Sequence, residues 1–192
     1  DSSGYLWLYF GTGDRNHPNA NATNRLYGIK DANPDDTTNG NTLTEASLVN
    51  VTSTNATGAS GWYFTLATKE KVLASVDVFN NIAYFTTFTP TATTACDSGG
   101  GIAKEYAVQI TTGYAAVDWT NGAVPLTSTN SAQTRYKTIG SGIPSKPIVI
   151  ITDSGTTLTT SVVAATTSQQ LPSNPAPPPS SMRRVLYWRE AF

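Results

Sequence analysis

The passage Val72-Leu73-Ala74-Ser75-Val76-Asp77-Val78-Phe79-Asn80-Asn81-Ile82-Ala83-Tyr84-Phe85-Thr86-Thr87-Phe88 decides the fold class. Val72 to Val78 alternates between apolar and polar positions. Ile82 to Phe88 mixes aromatic and threonine residues, the composition of a pleated, half-buried strand. Asn80-Asn81 between them tolerates positive φ, so the two runs read as a β-hairpin.

Outward from this hairpin the pattern repeats. Trp62 to Leu66 is a strand followed by the turn-like Thr68-Lys69-Glu70-Lys71, and Ile102 to Ile110 is a strand that follows the loop Pro90 to Gly101 and stops at Thr112-Gly113. These four strands group as one sheet of propeller-blade size. Nearer the start, Tyr5 to Phe10 runs into Gly11-Thr12-Gly13-Asp14, and Arg25 to Lys30 gives a second strand. The intervening Asp14 to Asn24 and the following Asp31 to Asn41 are polar loops. Toward the end, Ile139 to Pro147 leads into Ile148 to Thr152, and Ser154-Gly155-Thr156 turns into Thr157 to Ala165. Thr166 to Ser181, rich in Ser, Gln and Pro, reads as an extended, weakly ordered connector that buries little. Arg183 to Arg189 is too apolar to hang in solvent and reads as a docking strand.

The expectation is therefore an all-β chain. Residues 1–165 form a partial, modified β-propeller of about three four-stranded antiparallel blades. Residues 166–181 form a proline-rich leash, and residues 182–192 carry a C-terminal closing strand.

Composition narrows the function. Charged residues are 13% of the 192, with Thr, Ser, Asn and Gly in their place, a habit suited to an extracellular surface. A net charge of −1 gives no footprint for nucleic acid. No apolar run reaches the length of a membrane span, and Asp1-Ser2-Ser3-Gly4 is not a signal peptide. One cysteine, Cys96, is either a buried thiol or half of a bridge to a segment or chain outside this one.

Known chemistries find few residues to use. Ser-His-Asp hydrolysis needs a proton shuttle, and His17, the single histidine, sits between Asp14-Arg15 and Pro18 as a turn residue. Cys96 has no cationic neighbour to make it a thiolate. One His and one Cys cannot complete a zinc site, and no Cys-x-x-Cys-His is present for a c-type haem. Gly99-Gly100-Gly101 precedes a strand rather than a helix, which denies it a phosphate-binding dipole. Glu70, Glu105 and Glu190 are too scattered for a paired-carboxylate glycosidase. Trp7, Trp62, Trp119 and Trp188 suit core packing better than a sugar platform. Three Asn-x-Thr triplets, at Asn21, Asn50 and Asn55, match the glycosylation pattern as any chain this rich in Asn and Thr would.

Several stretches in series resemble the C-terminal region of the PilY family of type IV pilus assembly factors and tip adhesins. They are Tyr9-Phe10-Gly11-Thr12-Gly13-Asp14-Arg15-Asn16-His17-Pro18, Asn24 to Asp31, Gly61 to Leu66, Glu70-Lys71-Val72-Leu73-Ala74, and Tyr84 to Pro90. Gly140-Ser141-Gly142-Ile143-Pro144-Ser145-Lys146-Pro147 and Val185 to Glu190 complete the series. The resemblance implies a quinoprotein-dehydrogenase-like propeller without cofactor chemistry, outside a bacterium that bears type IV pili. It implies a non-catalytic role in pilus assembly and surface adhesion through loops, with pilins or minor pilins as partners. The missing N-terminal part of the propeller, or a second polypeptide, would supply further strands.

The family also carries a calcium loop. Asp31, Asn33 and Asp35 are the nearest candidates here, though the segment lacks a glycine at the sixth position and an acid at the twelfth. The rival expectation is a structural subunit of an extracellular filament or sheath, self-associating by exchange of the Arg183 to Phe192 strand.

Overall fold

A computed structural model describes residues 4–32, 34, 42–54, 56–91, 100–122, 134–154, 158–167 and 173–176. The strands in chain order are β1 Leu6–Gly11, β2 Arg25–Asp31, β3 Val49–Asn50, β4 Gly61–Thr65, β5 Lys71–Val72, β6 Asp77–Phe79, β7 Ile82–Pro90, β8 Gly101–Gln109, β9 Tyr136–Ser141, β10 Ile148–Asp153, β11 Leu158–Val163 and β12 Ser173–Pro175. One 3-10 turn, Glu45–Ser47, is the only helical element among the described residues. The chain is all-β.

The turn at Asn80-Asn81 follows the expected chemistry. Phe79 pairs with Ile82, and both asparagines have positive φ, 46° and 64°, the geometry of a two-residue hairpin turn whose twist suits the flanking strands.

Three sheets follow one another along the chain. The first has the order β1-β2-β4-β3, antiparallel except where β3 runs parallel to β4. The second is an antiparallel meander of β7, β8 and β9, with β5 and β6 both on the outer edge of β7. The third, β10-β11-β12, is antiparallel throughout.

Register shows how the sheets stack. Because side chains alternate across a strand, Phe85 opposite Tyr106 and Ala83 opposite Val108 share one face of the second sheet, while Tyr84 opposite Ala107 and Ile82 lie on the other. The first face packs with Leu26, Trp62 and Phe64 of the first sheet. The second packs with Val162 of the third sheet, together with Ala116, Val117 and Ala176. The second sheet is thus the middle layer, and β7 is buried along nearly its whole length.

Trp62 fastens the first interface. Its indole N–H donates to the Ile110 carbonyl at 2.9 Å, and the Tyr9 hydroxyl donates to the same oxygen at 3.1 Å. Gly28, directly across from Trp62 in β2, makes room for the ring: a Cβ there would lie 2.4 Å from a ring carbon. Arg135 adds a second tie, donating to the carbonyls of Gly113 at 2.8 Å and Val51 at 2.6 Å while lying over the Phe64 ring.

The structure departs from expectation in five places. Instead of three four-stranded antiparallel sheets, the described residues form sheets of four, five and three strands, and the β3–β4 pair is parallel. Trp62 to Leu66 belongs to the first sheet, not with the hairpin, because its aromatic face is matched across to β2. Val72 to Val78 is not one strand: Val72 pairs with Thr87 and Asp77 with Tyr84, so four residues oppose two and the strand bulges open at Leu73–Val76. Residues around Ile139, read as a lead-in, form β9 beside β8, with a register shift at Ala103/Lys104. The connector is not wholly unpaired, since Ser173–Pro175 pairs with β11 and Ala176 is buried. The rest of the leash, 168–172 and 177–181, and the closing strand of 182–192 lie outside the described residues.

Gly28→Ala is expected to lower stability by about 1–3 kcal/mol through overpacking against Trp62. A urea midpoint equal to that of the parent chain would show that the ring is not held there.

Candidate functional site

The bulge at Leu73–Val76 opens a cleft of about 720 Å3. One wall is Tyr9, Phe10 and Gly11 of β1 with Arg15 beyond it. The floor is Val72 to Val76. The other wall is Pro144, Ser145 and Lys146, which lead into β10. The beginnings of all three sheets therefore meet at this one cleft.

Each wall is held in place. Gly11 lies so close to Val72 that a Cβ would overlap its side chain. The Pro144–Lys146 wall is pinned by Ser145, whose N–H donates to the Ala165 carbonyl at 2.7 Å and whose own carbonyl accepts from Thr86 Oγ1 at 2.8 Å. The Asp14 to Asn24 loop, which starts at the rim, is tied to the Thr68–Lys71 turn. The buried Lys71 ammonium donates to the Ala20 carbonyl at 2.9 Å, and Asn24 Nδ2 donates to the Glu70 carbonyl at 2.8 Å. Burial holds the Lys71 pKa below the ordinary lysine value.

The lining supplies shape, apolar surface and positive charge. Arg15 is exposed and reaches the Leu73 carbonyl at 3.5 Å. Lys146 lies 3.4 Å from Asp77 in a half-exposed pair worth little to stability. No histidine, cysteine or carboxylate is among the lining residues.

His17 sits on the rim loop but turns to its own turn. Its Nδ1 is 2.7 Å from Asp14 Oδ2, and Asp14 Oδ1 accepts from the N–H of Asn16 at 2.8 Å. The His17 hydrogen bond holds the Asp14 carboxyl below the usual carboxylate range.

Glu70 is the buried charge that sequence reading left among scattered carboxylates. It sits between the first and second sheets. There it accepts from Thr87 Oγ1 at 2.6 Å and the Tyr106 hydroxyl at 2.7 Å, and pairs with Lys104 Nζ at 2.9 Å. Burial, and then the Glu70 charge, push the Tyr106 pKa up. A usable signal existed: Lys104 and Tyr106 are two apart on one strand, so they share a face. Glu105, between them, points to the opposite side of the sheet, and the middle layer separates the two buried glutamates. They cannot flank one sugar bond.

The other candidates fall as follows. Asp31 ends β2 on the surface, whereas Asn33 and Asp35, with which it was grouped for calcium, lie outside the described residues. Among the described residues no group of three or more His, Cys, Asp or Glu side chains gathers to hold a metal. Trp62 is a core residue, Trp7 stacks on Tyr9, and Trp119 packs against the second interface. Cys96, Gly99, Trp188 and Glu190 lie outside the described residues.

No family model, no curated protein and no solved structure matches the chain.

Glu70→Ala is expected to cost about 3–5 kcal/mol, because it strands the Lys104 charge and two hydroxyls. Glu70→Gln, which keeps an acceptor, should cost less. Equilibrium unfolding in urea decides this, and a loss below about 1 kcal/mol for the alanine variant would show that the network is not buried as described.

Proposed function

We propose that this chain is a non-catalytic extracellular module, the C-terminal part of a PilY-like protein associated with type IV pili. It serves pilus assembly and surface adhesion through loops on a partial β-propeller. One observation carries the reading. The stretches Tyr9 to Pro18, Glu70 to Ala74 and Gly140 to Pro147, far apart in sequence and each part of the resemblance, contribute the two walls and the floor of a single cleft. Stretches that merely shared composition with a family would have no reason to converge.

The sheet arrangement supports the same reading. Three sheets in chain order stack face to face, and β5 and β6, on either side of the cleft floor, come near β2 of the first sheet and β10 of the third. Antiparallel sheets stacked in chain order are the arrangement expected of neighbouring blades. Three blades cannot close a ring alone, so the partners are the missing N-terminal part of the propeller or a second polypeptide, together with pilins or minor pilins. The Asp14 to Asn24 loop, fixed at the cleft rim by Lys71 and Asn24, is a rigidly presented contact surface of the kind that binding modules carry.

Deleting the gene in the source bacterium should reduce both the number of surface pili and adherence, and the purified chain should co-sediment with sheared pili. Normal piliation and adherence after deletion would overturn the proposal. Ordered polymers of the purified chain without pilin would replace it with the filament-subunit reading. Oxidation of an alcohol on addition of pyrroloquinoline quinone would replace it with an enzyme.

A further inference from the structure

The floor of the cleft carries main chain with open hydrogen-bonding groups. β5 ends at Val72, opposite Thr87, and β6 begins at Asp77, opposite Tyr84, so the ladder to β7 is interrupted between them. On the other edge of β5, Val72 donates its N–H to the Thr12 carbonyl at 3.1 Å. Past that bond, the main chain of Ala74, Ser75 and Val76 has no hydrogen-bond partner among the described residues. Ser75 is exposed, Ala74 and Val76 are half-buried, and all three border the open space of the cleft.

The charge of the cleft is also unbalanced. Its lining holds two cations, Arg15 and Lys146, and no carboxylate. Lys146 is shared with Asp77 at 3.4 Å, whereas Arg15 has no carboxylate partner among the described residues. Asp14, its neighbour in sequence, turns to His17 instead. The Arg15 guanidinium reaches the Leu73 carbonyl at 3.5 Å, a long contact that leaves most of its N–H donors unused.

We propose that the cleft captures an extended segment of a partner polypeptide that carries an acidic side chain. The segment adds along residues 74–76 as a short strand and sets its carboxylate against Arg15, with Lys146 on the opposite wall. This gives a ligand class to the cleft and rests on the proposed function only in taking the cleft as the working site; it does not depend on pili.

The open main chain selects a polypeptide. A strand presents donors and acceptors at the same spacing as the gap, and addition to a strand edge is a recurring mode of peptide capture. The guanidinium selects an acid, because its parallel N–H groups match a carboxylate and a charge-assisted bond is about twice as strong as a neutral one. Phe10, Val72 and Pro144 offer apolar contact to the side chains that alternate along such a strand. A volume of about 720 Å3 suits a few residues of extended chain and excludes a folded domain.

The test uses the whole chain, immobilised, and acetylated, amidated heptapeptides with random flanks and a central residue fixed as Glu, Gln or Lys. The Glu pool should be retained about tenfold or more above the other two. For the tightest retained sequence, alternate backbone nitrogens are methylated, first along one edge of the peptide and then along the other. One edge should cost about tenfold or more in affinity and the other little, since a strand bonds to the cleft along a single edge and every side chain stays in place. R15Q should weaken binding about tenfold at an unchanged thermal midpoint, Arg15 being exposed. Amide hydrogen exchange at residues 74–76 should slow on binding.

Equal retention of the three pools, indifference to methylation on both edges, or binding unmoved by R15Q each overturns the proposal. So does retention of oligogalacturonate in place of every peptide pool, which would make the cleft an acidic-glycan site, or self-association that the peptide abolishes, which would assign it to a second copy. Failure to retain any pool overturns peptide capture and leaves the pilus reading to gene deletion. Normal piliation after deletion would sink that reading and leave peptide capture standing.

Discussion

The rest of the structure depends on β7, the central strand of the second sheet, having no solvent side. β7 is buried from Ile82 through Pro90 apart from a partly covered Thr89, so a polar group it carries is costly unless paired; the Tyr84 and Thr89 hydroxyls are left without a hydrogen-bond partner among the described residues. Thr86 and Thr87, adjacent and pointing to opposite faces, are each paired. Thr86 bonds to Ser145 ahead of the third sheet, and Thr87 bonds to Glu70 beneath the first. Two neighbouring hydroxyls thereby tie the middle layer to both flanks. The same constraint explains Glu70: a carboxylate enclosed between sheets is tolerable only with Lys104 and two hydroxyl donors around it.

Much of the fold was legible because its signals are local. The Asn80-Asn81 turn, the aromatic run of β1 and the strands β2, β7, β8, β10 and β11 all announce themselves by alternation or by turn chemistry. What could not be read is what depends on partners far along the chain. Nothing within Val72 to Val78 reveals that Thr87 and Tyr84 hold its two ends too close together for the intervening residues to pair. β3 is two residues long and exists because it lies beside Trp62 and Tyr63. The glycine-broken passage around Ile139 becomes a strand because β8 offers a long edge, with a bulge absorbing the mismatch.

The candidate site was legible only in pieces. Motifs of the resemblance marked its walls and floor, yet their meeting is a property of stacking order and could not be seen in one dimension. Arg15 and Lys146, the two cations of the cleft, are 131 positions apart (146 minus 15) and carry no shared pattern. Glu70 was visible as a residue and invisible as a centre, because it meets Lys104 and Tyr106 only when β5 pairs with β7 and β7 with β8.

The single carbonyl of Ile110 that accepts from both Tyr9 and Trp62 bears on how the chain is made. A ribosome delivers the first sheet well before Ile110 exists. During that interval the Trp62 and Tyr9 donors bond to water instead, and the aromatic face that β7 and β8 will cover stays open to neighbours. The first sheet, made before the second, is therefore locked only after it. A nascent chain with that order exposes apolar surface that can find another partner until β8 has emerged.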